Sequence, residues 1–272
     1  MVERIRVGAA RTVGVTRPHA HLVDAAVTLA HLERFAKALG ARLGLGVEAV
    51  QTRSYEQLVQ TLDAGELELG WLPPVVALRA VSIGLATPVV APLRGGSATF
   101  HAALFAKRGS KLKTDQHLAG ARVAWVDRAS AAGYAVVRAA LRARGHDPAR
   151  MFSVETFEGS HQAVVRAVLD GTADVGATYV HRDSRGALVN PGWGDADVEL
   201  VFEHGPVPSD VLAASLDLEP ELVERIRSVL LDESDRELAP AARELFEAEG
   251  FVRVSDDHFA PLAALVHHFD DP

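Results

Sequence analysis

The apolar positions along this chain switch repeatedly between two periods. Short stretches, either alternating or uniformly apolar, are followed by longer ones with apolar residues three and four apart. Arg4–Ala9 is of the first kind and predicts a strand. Asp24–Leu43 is of the second: Val27, Ala30, Leu32, Phe35 and Leu39 recur at helical spacing, and Gly44 follows as a stop. Val47–Thr52 then predicts a strand, and Tyr55–Ala64 a helix capped by Ser54 and stopped by Gly65. Leu67–Leu72 predicts a strand, and Pro73-Pro74 opens the next helix, where proline fits the first turn. Strands follow near Ala86–Leu93, His101–Lys107 and Arg122–Val126. Ala131–Arg144 predicts a helix, Phe152–Phe157 a strand, His161–Asp170 a helix stopped by Gly171, and Ala173–Tyr179 a strand. This order predicts α/β layers with largely parallel sheets. The last third departs from it, with Glu219–Leu231, Pro240–Glu249 and Asp256–Phe269 reading as three helices on the first lobe.

One unit of this pattern occurs twice. Ser54–Gly70 aligns with Ser160–Gly176 at a constant offset of 106 residues. Ser54/Ser160, Val59/Val165, Gly65/Gly171 and Gly70/Gly176 are identical pairs, and Glu68/Asp174 and Leu69/Val175 nearly so. Each copy has a capping serine, an aromatic ring at the first helical position, an amphipathic helix, a glycine stop and a buried strand. Such a repeat predicts two similarly built α/β lobes, with Tyr55 and His161 at equivalent helix starts. Inter-lobe clefts are favoured ligand sites.

Composition narrows the function. The 272 residues suit one large domain or two medium ones. Lys and Arg number 28 against 36 Asp and Glu, a net charge of −8 that argues against a nucleic-acid surface. The absence of cysteine removes disulfides, thiolate metal sites and a cysteine nucleophile. No apolar run reaches the length of a membrane helix. The N-terminus enters strand pattern at once, so the sequence as written reads as cytoplasmic; a periplasmic or surface-tethered protein is the alternative if an export signal has been removed.

The richest stretch for chemistry is Val123–Tyr134, where a buried strand ends at Asp127 and a helix begins near Ala131 behind a small-residue turn. A helix start presents unpaired amides and the positive end of its dipole to an anion, and the Ser130 hydroxyl adds a donor. On geometry alone, Ser130 is equally an ordinary cap. Twelve histidines include His19-x-His21 and His267-His268. They read as solvated or capping residues, since no acidic partner completes a metal set. No metal or cofactor is expected. Neither a Gly-x-Ser-x-Gly elbow nor a GxxxxGK[ST] loop is present, and Arg94-Gly95-Gly96-Ser97 reads as a hinge rather than a phosphate cradle.

Lys107–Asp127, Ser130–Tyr134, Glu158-Gly-Ser-His161 and Ala173–Ala177, in that order and spacing, resemble one family. It is the phosphate/phosphite/phosphonate substrate-binding proteins of ABC transporters, with the type 2 periplasmic-binding fold. The likeness runs from Arg4 to about Leu231. It implies two Rossmann-like α/β lobes joined by two hinge strands and closing on an oxyanion. Lobe 1 is expected over residues 1–93 and 200–272 and lobe 2 over 98–190, with hinges near 94–97 and 191–199. The family's cleft tyrosine falls on Tyr55, its oxyanion loop on Ser130, Ala131, Ala132 and Gly133, and its histidine on His161. Its Pro-x-Asp resembles Pro208-Ser209-Asp210, placing Asp210 against a ligand amine.

The chain departs from the family at two points. Ala131 and Ala132 replace hydroxyl residues, and Thr99 stands where a hinge aromatic is common. Each hydrogen bond lost to a charged group costs about 1.5–3 kcal/mol, so two lost hydroxyls weaken a tetrahedral-anion site by roughly two to four decades. A carboxylate or a less charged, partly apolar molecule therefore joins phosphonate, phosphite and phosphate as a candidate. The expected function is binding of a small anionic ligand by a monomer, for uptake through an ABC permease or for sensing. The alternative is a cytoplasmic enzyme of the same fold, in which His161 with Asp210 or Asp127 forms the acid–base pair.

Overall fold

Ile5, Val7 and Ala9 alternate along the first strand, β1 (Arg4–Ala10), and commit one of its faces to an apolar core. The computed structural model describes residues 4–10, 25–128, 130–183, 185–265 and 268. His19, His21 and His267 lie outside them. The chain forms two α/β units. The first holds β1, the chain up to Ala98, and Pro208–Phe259; the second holds Thr99–Val207 and the C-terminal turn from Ala260. The chain thus crosses between units at 98/99, 207/208 and 259/260; the sequence reading has hinges near 94–97 and 191–199.

After β1 the first unit runs α1 (Ala25–Leu43), β2 (Gly46–Thr52), α2 (Tyr55–Asp63), β3 (Leu69–Leu72), α3 (Pro74–Ser82) and β4 (Ala86–Leu93). The second unit follows with β5 (Thr99–Lys107), β6 (Arg122–Trp125), α4 (Val136–Ala143), α5 (Pro148–Met151), β7 (Val154–Phe157), α6 (His161–Leu169), β8 (Val175–Arg182), β9 (Leu188–Val189) and β10 (Val198–Pro208). The chain then returns as β11 (Val211–Ser215), α7 (Pro220–Leu230), α8 (Leu238–Phe246) and β12 (Gly250–Arg253), and α9 (Ala260–Ala263) closes the order.

The first sheet has the order β12-β4-β11-β3-β1-β2 and the second β10-β5-β8-β6-β7. Both are mixed, which corrects the expectation of largely parallel sheets. Strands β1, β2 and β3 run parallel, but β11 is antiparallel to β3 and β4, and β12 is antiparallel to β4. In the second sheet β6 is parallel to β7 and β8, whereas β5 is antiparallel to β8. The third C-terminal helix, expected over 256–269, is also corrected. The described part holds only the four-residue α9, and Gly250–Arg253 just before it joins the sheet edge.

Helices cover both faces of the first sheet. Phe35 and Leu39 of α1, Ile226 of α7 and Phe246 of α8 pack on the Ile5–Val7–Ala9 face. Leu58 and Leu62 of α2 and Ala77 of α3 pack on the other. Each large side chain so buried contributes about 1.5–3 kcal/mol. In the second unit Val164, Val165 and Val168 of α6 pack against Phe105 and Ala124.

The repeat appears as matched local structure. Ser54 Oγ accepts the Gln57 amide at 3.1 Å, and Ser160 Oγ accepts the Ala163 amide at 3.2 Å. Arg6 donates its amide and guanidinium to Glu68 and also bonds the Gly65 carbonyl. Arg122 makes the same set of bonds to Asp174 and the Gly171 carbonyl. Gly65 and Gly171 both hold φ near +70° (67° and 75°), a left-handed conformation that glycine adopts without a Cβ clash. A Cβ at Gly70 would fall 2.9 Å from Leu62, and one at Gly176 2.6 Å from Val164, so each helix lies directly on its strand.

Candidate ligand-binding site

In the second unit the parallel strands β6 and β7 deliver two capped helix starts to one end of the sheet. Their exits are strapped together: the Glu158 amide bonds the Trp125 carbonyl and the Gly159 amide the Val126 carbonyl, both at 2.9 Å. The carboxyl ends of parallel strands are where α/β sheets place ligands.

The first of these starts is the Ser130 turn. Ala131–Ala135 forms one π-helical turn that runs into α4, and such turns recur at functional sites. Ser130 Oγ accepts the Gly133 amide at 3.0 Å and keeps its own proton to donate. Ala131 and Ala132 are 7 % and 6 % exposed and occupy the opening positions, whose amides have no acceptor within the helix. Gly133 is required by close packing, because a Cβ there would lie 2.4 Å from the Val126 side chain. Of the oxyanion loop expected from the sequence, the Gly133 amide is therefore already engaged. The Ser130 hydroxyl and the first amides of the turn are the groups that suit an anion.

The second start places His161 at the head of α6. Its Nδ1 lies 2.9 Å from Oγ1 of Thr178 on β8, and its ring meets Tyr179 edge-on at 5.0 Å. Burial pushes its pKa down to about 4, so the imidazole is neutral at physiological pH. It offers a hydrogen bond rather than a charge. Thr178 is completely buried, and nothing in the sequence singled it out. Thr99 is the half-buried first residue of β5 in this same unit.

Tyr55 and Asp210 belong to the first unit. Tyr55 is half-buried at the start of α2 and packs on the cluster around Leu58. Asp210 has partners within the first unit where the sequence reading has a ligand amine. Arg94 donates to its two oxygens at 2.6 and 3.1 Å, and the Trp71 indole N–H donates to it as well. Arg94 also bonds the Phe246 carbonyl at 2.6 Å. Both oxygens of the carboxylate are thus engaged within the first unit. The glycine turn beside it is engaged too. Gly95 and Gly96 (φ 60° and 73°) point their amides at the two oxygens of Glu249, each at 3.0 Å, so the anion in this backbone nest is the protein's own. Trp193 packs on Phe105 at 5.3 Å inside the second unit.

Among the described residues, no three His, Asp or Glu side chains are placed to hold a metal, and no helix is long and apolar enough to cross a membrane. Two mixed α/β units, with capped helix starts at the ends of parallel strands, have the architecture of a small-ligand-binding protein. A family model described as "ABC transporter, phosphonate, periplasmic substrate-binding protein" matches residues 22–259, and the chain belongs to that family. The phosphate-import protein PhnD of Mycolicibacterium smegmatis is 23 % identical over 237 residues, covering 81 % of this chain and 71 % of that protein. XAC2383 from Xanthomonas citri, solved with ATP bound, matches with a TM-score of 0.78 at 22 % identity, covering 98 % of this chain and 100 % of the other. PhnD1 from Prochlorococcus marinus, solved with methylphosphonate, matches with a TM-score of 0.72 at 16 % identity and 97 % coverage of both chains. The fold is that of the type 2 periplasmic-binding proteins. Membership of a substrate-binding family favours ligand capture over the enzyme reading, and the periplasmic alternative over the cytoplasmic one.

Proposed function

We propose that this protein is the ligand-capturing component of an ABC importer, working as a monomer on the outer side of the cytoplasmic membrane. Its ligand is a small oxyanion held at the Ser130 turn. The observation that carries the reading is the pairing of that turn with the neutral His161 at one end of the second sheet. The names of its relatives agree in kind: one imports phosphate, one was solved with methylphosphonate and one with ATP. With alanine at 131 and 132, the turn supplies fewer donors than a phosphonate dianion accepts, which favours a carboxylate or a singly charged phosphorus oxyanion. Tyr55 and Thr99 are the next residues to test by substitution.

The test is isothermal titration of the purified protein with methylphosphonate, phosphite, phosphate and a series of short carboxylates. Native mass spectrometry accompanies it, to catch any ligand carried through purification. At least one oxyanion is expected to bind in the micromolar range, and Ser130→Ala to weaken it about tenfold. Binding unchanged by Ser130→Ala would overturn the site; no oxyanion binding below millimolar would overturn the ligand class. Micromolar methylphosphonate binding would remove the preference for a carboxylate.

A further inference from the structure

We infer that Thr178 is a positioning residue, whose buried hydroxyl donates to His161 Nδ1 and so fixes the imidazole with its proton on Nε2, as a donor toward the ligand. The inference rests on the proposed oxyanion site and adds what that site demands of the ligand at His161: a hydrogen-bond acceptor such as an anionic oxygen, not an ammonium group.

The direction of the hydrogen bond follows from the burial of Thr178. The side chain is 0 % exposed, and its hydroxyl has one hydrogen-bond partner among the described residues, His161 Nδ1 at 2.9 Å. Its other side is closed by Gly192, where even a Cβ would stand 2.1 Å from Oγ1. That glycine is tied down by its amide bond to the Tyr179 carbonyl at 2.8 Å. If Nδ1 carried the proton and donated it to Thr178, the buried hydroxyl hydrogen would be left with no acceptor among the described residues. A buried donor without a partner is the costlier omission; an unused lone pair is tolerated more readily. The threonine therefore donates, Nδ1 accepts, and the neutral ring must hold its proton on Nε2.

The repeat provides an internal control. At the offset of 106 residues, Thr178 corresponds to Leu72, which is likewise 0 % exposed and ends β3. The first copy shows that this position needs only a buried apolar side chain. Its matching helix start carries Tyr55, a ring with no tautomer to set. The hydroxyl occurs only in the copy whose helix begins with histidine.

The experiment is a long-range proton–nitrogen NMR spectrum of the full ligand-free chain, with the His161 signals assigned by their loss in His161→Gln. We expect a neutral ring at pH 7 with Nε2 protonated and Nδ1 bare. Thr178→Ser is expected to keep that tautomer, and Thr178→Val to lose or average it. Methylphosphonate and acetate serve as binding probes: Thr178→Val is expected to weaken whichever binds by about tenfold, and Thr178→Ser to stay within about twofold. A wild-type ring protonated on Nδ1, or an unchanged tautomer in Thr178→Val, would overturn the inference. Should Thr178→Val fail to fold, the wild-type and Thr178→Ser spectra still decide it. A protein that binds neither probe would count against the ligand class while the tautomer still answers for Thr178.

Discussion

Replacing Asp210 by asparagine separates a ligand contact from a structural acceptor, because the two roles predict losses in different measurements. The change keeps the shape and removes the charge. Asparagine retains one acceptor oxygen, but its amide turns N–H groups toward Arg94 or Trp71, both of which are donors. With the amide turned toward Arg94, the guanidinium keeps from this set the carbonyls of Phe246 and Glu247. Breaking a fully buried ion pair costs about 3–5 kcal/mol. These side chains are 20 % and 16 % exposed, which places the cost near the lower end, about 3 kcal/mol. At about 2–4 °C per kcal/mol for a domain of this size, the melting temperature should fall by roughly 6–12 °C. Urea unfolding followed by tryptophan emission reads the change directly, since Trp71 is itself one of the donors. Trp125 and Trp193 lie in the second unit, so Trp125→Phe with Trp193→Phe gives a background in which the signal belongs to the first. Adding Arg94→Met to Asp210→Asn should recover at least about 1 kcal/mol relative to the sum of the single changes. An Asp210→Asn protein within about 0.5 kcal/mol of wild type would refute the structural assignment. If its ligand affinity then fell instead, Asp210 would be the ligand group that the sequence reading made it.

Two further outcomes follow from the buried polar groups. His161 titrates near 4 in the folded chain against an ordinary 6.5, so between those values the unfolded chain binds a proton that the folded one refuses. Its contribution is complete above pH 6.5 and is lost as pH falls toward 4, at most about 3 kcal/mol. Burial also holds His101, His204 and His258 below the usual range, so the difference between wild type and His161→Gln isolates this one residue. Parallel acid limbs in urea titrations of the two proteins would contradict the assignment. Ser209 Oγ is buried without a hydrogen-bond partner among the described residues. Ser209→Ala should therefore raise stability by about 1 kcal/mol, and a loss of similar size would show that the hydroxyl is bonded in solution.

The helices bounded by local signals were readable from the sequence to within a residue or two. Ser54 with Gly65, and Ser160 with Gly171, mark α2 and α6 because cap and stop residues act within one turn of the backbone they satisfy. The direction of the returning strands was not readable. Val211–Ser215 is buried along its whole length, and an apolar run without alternation carries no period to show which neighbours it joins. Gly250–Arg253 is too short to stand against the helical pattern around it.

The candidate site divides along the same line between local and distant cause. Ser130 and His161 were visible because each begins a helix, and a helix start carries the same chemistry in any fold. Asp210 was visible as a residue but its bonds to Arg94 were not, since the two lie 116 positions apart and only the fold brings them together. Thr178 was hidden more deeply, because a threonine inside a strand has an ordinary structural reason to be there. The reason fails only against the repeat, where leucine at position 72 meets the same packing demand without a hydroxyl. Comparing the two copies thus separates what the α/β unit needs from what one copy adds. The arginine–carboxylate clamps at Arg6 and Arg122 occur in both and belong to the scaffold. The hydroxyl–imidazole pair occurs in one and is what that copy adds to the scaffold. A ligand that needs a hydrogen-bond donor rather than a cation at His161 also fits the alanines of the neighbouring turn, since both lower the charge the site can balance.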